Sequence, residues 1–350
     1  MQASKWLKKC ILALVGSVVL IVVLCFIFDP YFHFHKPFPF VRYRLYEERY
    51  INDGISRHFD YNAMITGTSM AQNFKTSEVD ELFGVQSVKE TFSGAGYQEL
   101  SQNLERALER NSDLKTVIWT VDYNGFIRKK DYSRYDSYPT YLYDDDPWND
   151  TQYVFNKGIF YHGVLPNIAK TLLRQPSTTM DEFSSWNKPT GLTYIMQSYD
   201  RLEKKVPMQM GLTDEEVQMV TESVQENIVD LVNKYPNTDF YLFYTPYSIC
   251  FWDYEEREGL ILIQFQAEQI ATELILNCPN VKLYNFFDKY DIVCNLDNYR
   301  DKDHYSSEIN SKILQWISSG EGLVTWDNYK EKLDQEKKFY LNYPYDSIFE

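Results

Sequence analysis

Cysteine and histidine are scarce, five of each in 350 residues, and that scarcity excludes several chemistries. No Cys-x-x-Cys pair occurs; Cys10 and Cys25 lie at the edge of or within an apolar N-terminal run, leaving Cys250, Cys278 and Cys294 for the rest. An odd number at that spacing indicates neither a disulfide framework nor a zinc site, although one bridge among the three stays open. His33 and His35, in the stretch DPYFHFH, have no third ligand at metal-site spacing and read as packing or interfacial residues. No metal and no cofactor is therefore expected. Basic charge is also short: 35 Lys and Arg face 50 Asp and Glu, a net charge of -15. Residues 1–28 hold three of the lysines and no acid, so the remainder carries 32 against 50, or -18. Such a surface repels phosphodiester backbones, because nucleic-acid affinity rests on Lys and Arg contacts to phosphate, and nucleic acid is excluded as an expected partner. Internal repeats and low-complexity tracts are lacking.

What the chain does have is apolar and aromatic surface. Hydrophobic residues make up 44% and aromatics 17%, with 29 Tyr and 22 Phe spread along the length, which is ample for one large folded domain. Residues 11–28 (ILALVGSVVLIVVLCFIF) form 18 positions without a charge, preceded by Lys5, Lys8 and Lys9. At ~1.5 Å per residue a helix of that length nearly matches a hydrocarbon core of roughly 30 Å. A cleaved signal peptide would be shorter and end in a small-x-small site, whereas this run ends Cys25-Phe26-Ile27-Phe28-Asp29-Pro30. The expectation is an uncleaved single-pass anchor, with a cytoplasmic N-terminus and the bulk of the chain extracytoplasmic, although Lys36, Arg42 and Arg44 reduce the charge asymmetry.

Beyond an aromatic juxtamembrane stretch over 29–60, short apolar runs alternate with helical periodicity. Strands are expected at 61–66, 85–92, 116–121, 240–244 and 281–284, and helices from about 77, at 97–110, 213–234, 260–277 and 307–318. Leu100, Leu104, Ala107 and Leu108 mark one face of the 97–110 helix, and the run TVIWTV at 116–121 reads as buried on both faces. Alternation of this kind predicts an α/β fold: a three-layer, doubly wound, five-stranded parallel sheet with right-handed crossovers, plus the N-terminal transmembrane helix. The expected organisation is an anchor at 1–28, the juxtamembrane segment, an α/β domain over 61–319 with a lid insertion at about 125–205, and a C-terminal tail at 320–350. The tyrosine- and aspartate-rich part of the insertion, 131–148, could stack a sugar ring, dock on a membrane partner, or simply pack a large loop.

Four places carry candidate chemistry. Gly67-Thr68-Ser69 directly follows the first strand, where a rigid strand can hold an exposed nucleophile, here Ser69. The second strand ends in Ser93-Gly94-Ala95-Gly96, whose small residues let backbone N–H groups approach a substrate. The third ends in Asp122-Tyr123-Asn124-Gly125, which offers a side-chain amide. Ser69, Gly94, Gly96 and Asn124 together are candidate oxyanion donors. Far downstream, Asp301-Lys302-Asp303-His304 precedes the last helix; an Asp three residues ahead of a His can orient the imidazole while the other ring nitrogen faces a serine. Asp303 is an alternative orienter, but adjacent side chains usually diverge.

In chain order these elements, from about Tyr61 to Ser319, resemble the four blocks of the SGNH (GDSL-like) hydrolase family. Thr68 stands where many members carry Asp, and Asn124 lies in Asp-Tyr-Asn rather than Gly-x-Asn-Asp. With the anchor and the segment GTSMAQNFK, the chain is similar in layout to the DltD-like membrane-anchored envelope proteins of Gram-positive bacteria. The resemblance implies a Ser69-His304-Asp301 triad in a serine esterase or O-acyltransferase acting on acetyl or D-alanyl esters of a cell-envelope polysaccharide or teichoic acid. It also implies work beside a multi-span membrane acyltransferase. The alternative is a non-catalytic, glycan-binding or scaffolding component of an envelope assembly complex.

Overall fold

The computed structural model describes residues 2–134, 139–144 and 146–349; the side chains of Gln2 and Asn124, and Tyr135, Asp136, Ser137, Tyr138 and Asp145 of the tyrosine-rich segment, lie outside the described residues. The chain forms two compact units, one of Met1–Phe59 with Ser137–Phe183, the other of Asp60–Asp136 with Ser184–Glu350. Residues 125–205 are thus shared between the two.

The first unit begins with the helix Gln2–Ile27. Within its stretch Ala3–Ile27 an 18-residue window has a mean hydropathy of 3.2 and is only 6% buried, so the helix is long and apolar enough to cross a membrane. The chain turns at Asp29, a buried carboxylate held by the Tyr153 hydroxyl at 2.5 Å and the Phe34 N–H at 2.7 Å. The two early histidines are both partnered: His33 Nε2 lies 2.6 Å from Asp150 Oδ1, and His35 Nε2 lies 2.5 Å from the Phe26 carbonyl oxygen. The helix Glu48–His58 buries Ile51 and Ile55 completely.

The second unit is built on one sheet in the order β2-β1-β3-β4-β5-β6, where β1 is Ala63–Gly67, β2 Ser87–Thr91, β3 Thr116–Val121, β4 Asp239–Tyr244, β5 Val281–Asn285 and β6 Leu323–Val324. Five strands run parallel, at or within a few residues of the positions their apolar runs predict. The expected count of five is corrected to six: β6 pairs antiparallel with β5. Two residues are too few to show a period, and the turn that returns them to the sheet depends on Gly320 and Gly322, both at positive φ.

The parallel strands are buried on both faces, which is why β3 reads as an unbroken apolar run; Val117, Ile118 and Trp119 are fully enclosed. Each such aliphatic side chain contributes about 1.5–3 kcal/mol on burial. β2 breaks the apolar rule with Lys89 and Glu90, also fully buried. Lys89 Nζ donates to the carbonyls of Gln72 at 2.6 Å and Phe74 at 2.9 Å, so a buried cation pins the turn that follows β1.

Two buried acids mark the other end of the core. Asn285 Nδ2, at the end of β5, donates to Glu268 Oε1 at 2.8 Å and Glu336 Oε2 at 3.1 Å, and burial pushes both carboxyl pKa values up. A carboxyl whose folded pKa exceeds its unfolded one stabilises most below the unfolded value and loses that contribution as pH rises through the folded one. Thermal melts from pH 5 to 9 should therefore show stability falling as pH rises, and Glu336→Gln should flatten the slope. An unchanged slope in that variant would mean the pair is not linked to folding.

Candidate functional site

The sheet reverses its winding between β1 and β3: the chain goes from β1 outward to β2, then crosses back to β3 on the far side of β1. At such a switch point the carboxyl ends of neighbouring strands open a crevice. Gly67 closes β1 at φ +147, where a Cβ would run into the Thr120 hydroxyl, so only glycine permits the chain to turn against β3. Thr68 then caps the short 3-10 turn Ser69–Ala71. Its hydroxyl donates to Asp122 Oδ2, just past the end of β3, locking the two strand ends together. The Tyr97 hydroxyl donates to the Asp122 carbonyl at 2.5 Å, and that of Tyr247 reaches Asp122 Oδ1 at 3.4 Å. Burial raises the Asp122 pKa to about 6 against the pull of the Thr68 hydroxyl.

Ser69 Oγ lies 2.8 Å from His304 Nε2. On the opposite side of the ring, His304 Nδ1 is 2.8 and 2.9 Å from the two Asp301 carboxylate oxygens. The loop itself explains this geometry: Asp301 Oδ1 also accepts from the backbone N–H groups of Asp303 at 3.0 Å and His304 at 2.8 Å, folding the four residues into a tight turn. Asp303, the alternative orienter, instead meets Lys302 Nζ at 2.8 Å. Burial alone would pull the His304 pKa down, but the bonded Asp301 outweighs it and the net shift is upward. Burial likewise works to raise Asp301, and the imidazole and backbone donors reverse it, leaving its pKa lowered. A serine hydroxyl, an imidazole and a carboxylate in this order can move a proton off the serine and stabilise the resulting imidazolium.

Ser69 and His304 face a cavity of about 270 Å³ that Gly94 and Gly96 also line. Gly94 sits at φ +68, and a Cβ on Gly96 would collide with the Tyr132 carbonyl oxygen, so both positions require glycine. Asn124 lies in the short turn Tyr123–Gly125, and its side chain is outside the described residues. The structure therefore brings together Ser69, Asp301, His304, Gly94 and Gly96, and says nothing of the Asn124 amide.

Several residues at the site carry little signal in the sequence. Asp122 accepts from the Thr68 hydroxyl across two strand ends, a pairing visible only in space. Trp186 stands edge-on to the His304 ring at 5.9 Å, with the Arg300 guanidinium 5.0 Å from its own centroid and its backbone N–H bonded to Asn73 Oδ1 at 2.8 Å. Arg128, Lys129 and Arg134 line the cavity too; the Arg-Lys-Lys run in an acidic chain was the available signal. Among the described residues no cluster of His, Cys, Asp and Glu has the geometry to hold a metal ion, and all five cysteines are free thiols.

No family model matches the sequence, and no curated protein does. Among solved structures the chain is similar to one from Streptococcus pneumonia, provisionally named a platelet activating factor, at 13% identity and a TM-score of 0.38, over 78% of this chain and 90% of that one. A likeness of that size carries no inference about activity.

Proposed function

We propose that this chain is a membrane-anchored serine hydrolase or acyltransferase of the SGNH type, with Ser69 as nucleophile, His304 as general base and Asp301 as its orienting carboxylate. The observation that carries this reading is the continuous hydrogen-bonded chain Ser69-His304-Asp301 at the mouth of a glycine-lined cavity. His304 takes the Ser69 proton as Oγ bonds to the carbonyl carbon of an ester. The backbone N–H groups of Ser69, Gly94 and Gly96 receive the oxyanion, with the Asn124 amide as a further donor. Collapse expels the alcohol, which leaves with the proton from His304; water or a sugar hydroxyl then attacks the acyl-serine by the same route in reverse.

An N-terminal helix able to span a membrane, together with the sequence resemblance, supports an envelope polymer bearing acetyl or D-alanyl esters as the substrate. In the transfer variant of this reading, a multi-span membrane acyltransferase would supply the acyl group. The first test is covalent. The detergent-solubilised chain, treated with a fluorophosphonate, should gain one adduct, and peptide mass mapping should locate it on Ser69. Labelling elsewhere, or none in folded protein, would favour the scaffolding alternative.

A further inference from the structure

Asp and Glu number 50 in the chain, yet residues 151–180 contain none, the longest such stretch in the sequence; the next is 1–28, which includes the anchor. The first carries Lys157, Lys170 and Arg174, the second Lys5, Lys8 and Lys9. Both stretches belong to the first compact unit, and they meet there. Cys25 Sγ, near the end of the helix Gln2–Ile27, donates to the Val154 carbonyl at 3.5 Å. Asn167 Nδ2 donates to the Phe28 carbonyl at 3.3 Å, and Asn167 Oδ1 accepts from the Arg44 N–H at 3.0 Å. Gly163 packs so closely that a Cβ there would stand 2.7 Å from the Pro30 Cβ. The chain leaves the apolar helix at Phe28 and Pro30, so the segment that holds Gly163 and Asn167 is fastened at that exit.

The segment is helical from Lys157 to Leu172: a first turn Lys157–Ile159, a π-turn Phe160–Val164 and the α-helix Leu165–Leu172. Its inner face buries Ile159, Gly163, Val164 and Asn167. Its outer face is apolar as well. Leu165, Ile168, Ala169 and Leu172 recur at i, i+3, i+4 and i+7; Ile168 is half-buried and the other three are exposed. Leu172 is 77% exposed, Leu173 just beyond it 69%, Tyr161 one turn before Leu165 60%, and Phe155 ahead of the helix 55%. A helix that faces water carries charge on its outer side, and this one carries leucine there. Large apolar side chains aligned on one surface are unfavourable in water, and such a patch marks a face that an apolar medium or partner covers.

We infer that the helix Lys157–Leu172 lies in the membrane surface beside the exit of the anchor, with its outer stripe among the upper acyl chains of the lipid. This rests on the reading of Gln2–Ile27 as a membrane span. Lipid is the occupant because of where the helix is tied: a segment clamped to the residues that directly follow a span is held at the bilayer boundary. A helix of this kind rests in the plane of the interface with its apolar face sunk about 5–10 Å into the headgroup and acyl boundary. Its charges agree. Lys157 and Arg174 are exposed at the two ends, where their stems extend the apolar face and their heads reach lipid phosphates. Phosphates would repel an acid on this segment, and residues 151–180 have none. Tyr161, with an apolar ring and a polar hydroxyl, suits the same depth.

The test places the whole chain in phosphatidylcholine nanodiscs doped with a phosphatidylcholine that bears a diazirine near the top of one acyl chain. After irradiation, peptide mass mapping should find lipid adducts in two places, within 3–28 and within 155–173. Leu165→Glu/Leu172→Glu alters two exposed side chains, so its melting temperature should match that of the unaltered chain. Its adducts on 155–173 should fall by about tenfold while those on 3–28 persist, because a carboxylate is costly at that depth. Adducts confined to 3–28 in the unaltered chain would uphold the anchor and overturn the interfacial helix. Adducts on 155–173 with none on 3–28 would uphold the lipid contact and refute the span; adducts at neither would end both. Undiminished labelling of 155–173 in the folded double variant would overturn the assignment of the stripe. An amine cross-linker that joins Lys157 of one chain to Lys157 of another, with no lipid adduct on 155–173, would give this face to a second copy and overturn the proposal.

Discussion

Ser69→Ala and His304→Gln should each lower kcat for p-nitrophenyl acetate by a factor on the order of 10⁴ to 10⁶, and the double variant should be no worse than either single one. The equality follows from the geometry. With Ser69 Oγ 2.8 Å from His304 Nε2, the proposed mechanism has the two groups perform one act, proton removal concerted with attack, so that losing either would end it. Additive losses would show that the two side chains work separately and would sink the triad. The pH profile of the unaltered protein adds a sign. Attack requires neutral imidazole, and the net upward shift of His304 from its ordinary value of 6.5 means that kcat/KM should fall on acidification with a midpoint above 6.5. Asp301→Asn removes the carboxylate that raises it, so the limb should move to lower pH while the plateau drops by about 10⁴ through loss of the correct tautomer. Steady-state rates from pH 5 to 9 read both effects.

Trp252→Ala should cost about 3–5 kcal/mol and lower the melting temperature by on the order of 10 °C. Trp252 is fully buried on the helix Ile249–Arg257. Its ring stacks on Tyr340 at 4.0 Å and Phe265 at 5.2 Å, and meets Phe287 edge-on at 5.4 Å and Tyr123 tilted at 5.5 Å. Each of these comes from a different part of the chain, and Tyr340 from the C-terminal helix Tyr329–Asn342. Deleting the indole therefore opens a cavity that no neighbouring element can fill by a local shift. Denaturant titration of the variant measures the loss. A cost under about 1 kcal/mol, typical of a surface site, would mean that the C-terminal helix is peripheral to the core. Below its melting transition the variant should keep its esterase rate, because none of these rings lines the cavity that holds Ser69.

The C-terminal segment also shows where sequence reading stops. Its charges suggest a tail across the outside, yet Glu336 and Tyr340 are fully enclosed. Burial of a glutamate is decided by Asn285 on β5, which no local pattern can foretell. The helix Glu48–His58 was likewise hidden by its polar composition, although it encloses Asn52 and Asp53 along with its two isoleucines.

The sequence by itself determined what short-range physics controls. Apolar runs marked the parallel strands other than the charged β2, periodicity marked most of the helices between them, an uncharged run marked the N-terminal helix, and three-residue spacing let Asp301 wrap onto His304. Only the tertiary structure decided what depends on contact across the sheet. The reversal of winding brings Ser69 to a histidine 235 positions later in the chain, and lets Asp122 hold Thr68 from a neighbouring strand. The same packing turns three cations of a polar loop into one wall of the cavity. These contacts join residues whose separation in sequence carries no period, so their formation is set by the assembled sheet and the helices packed on it.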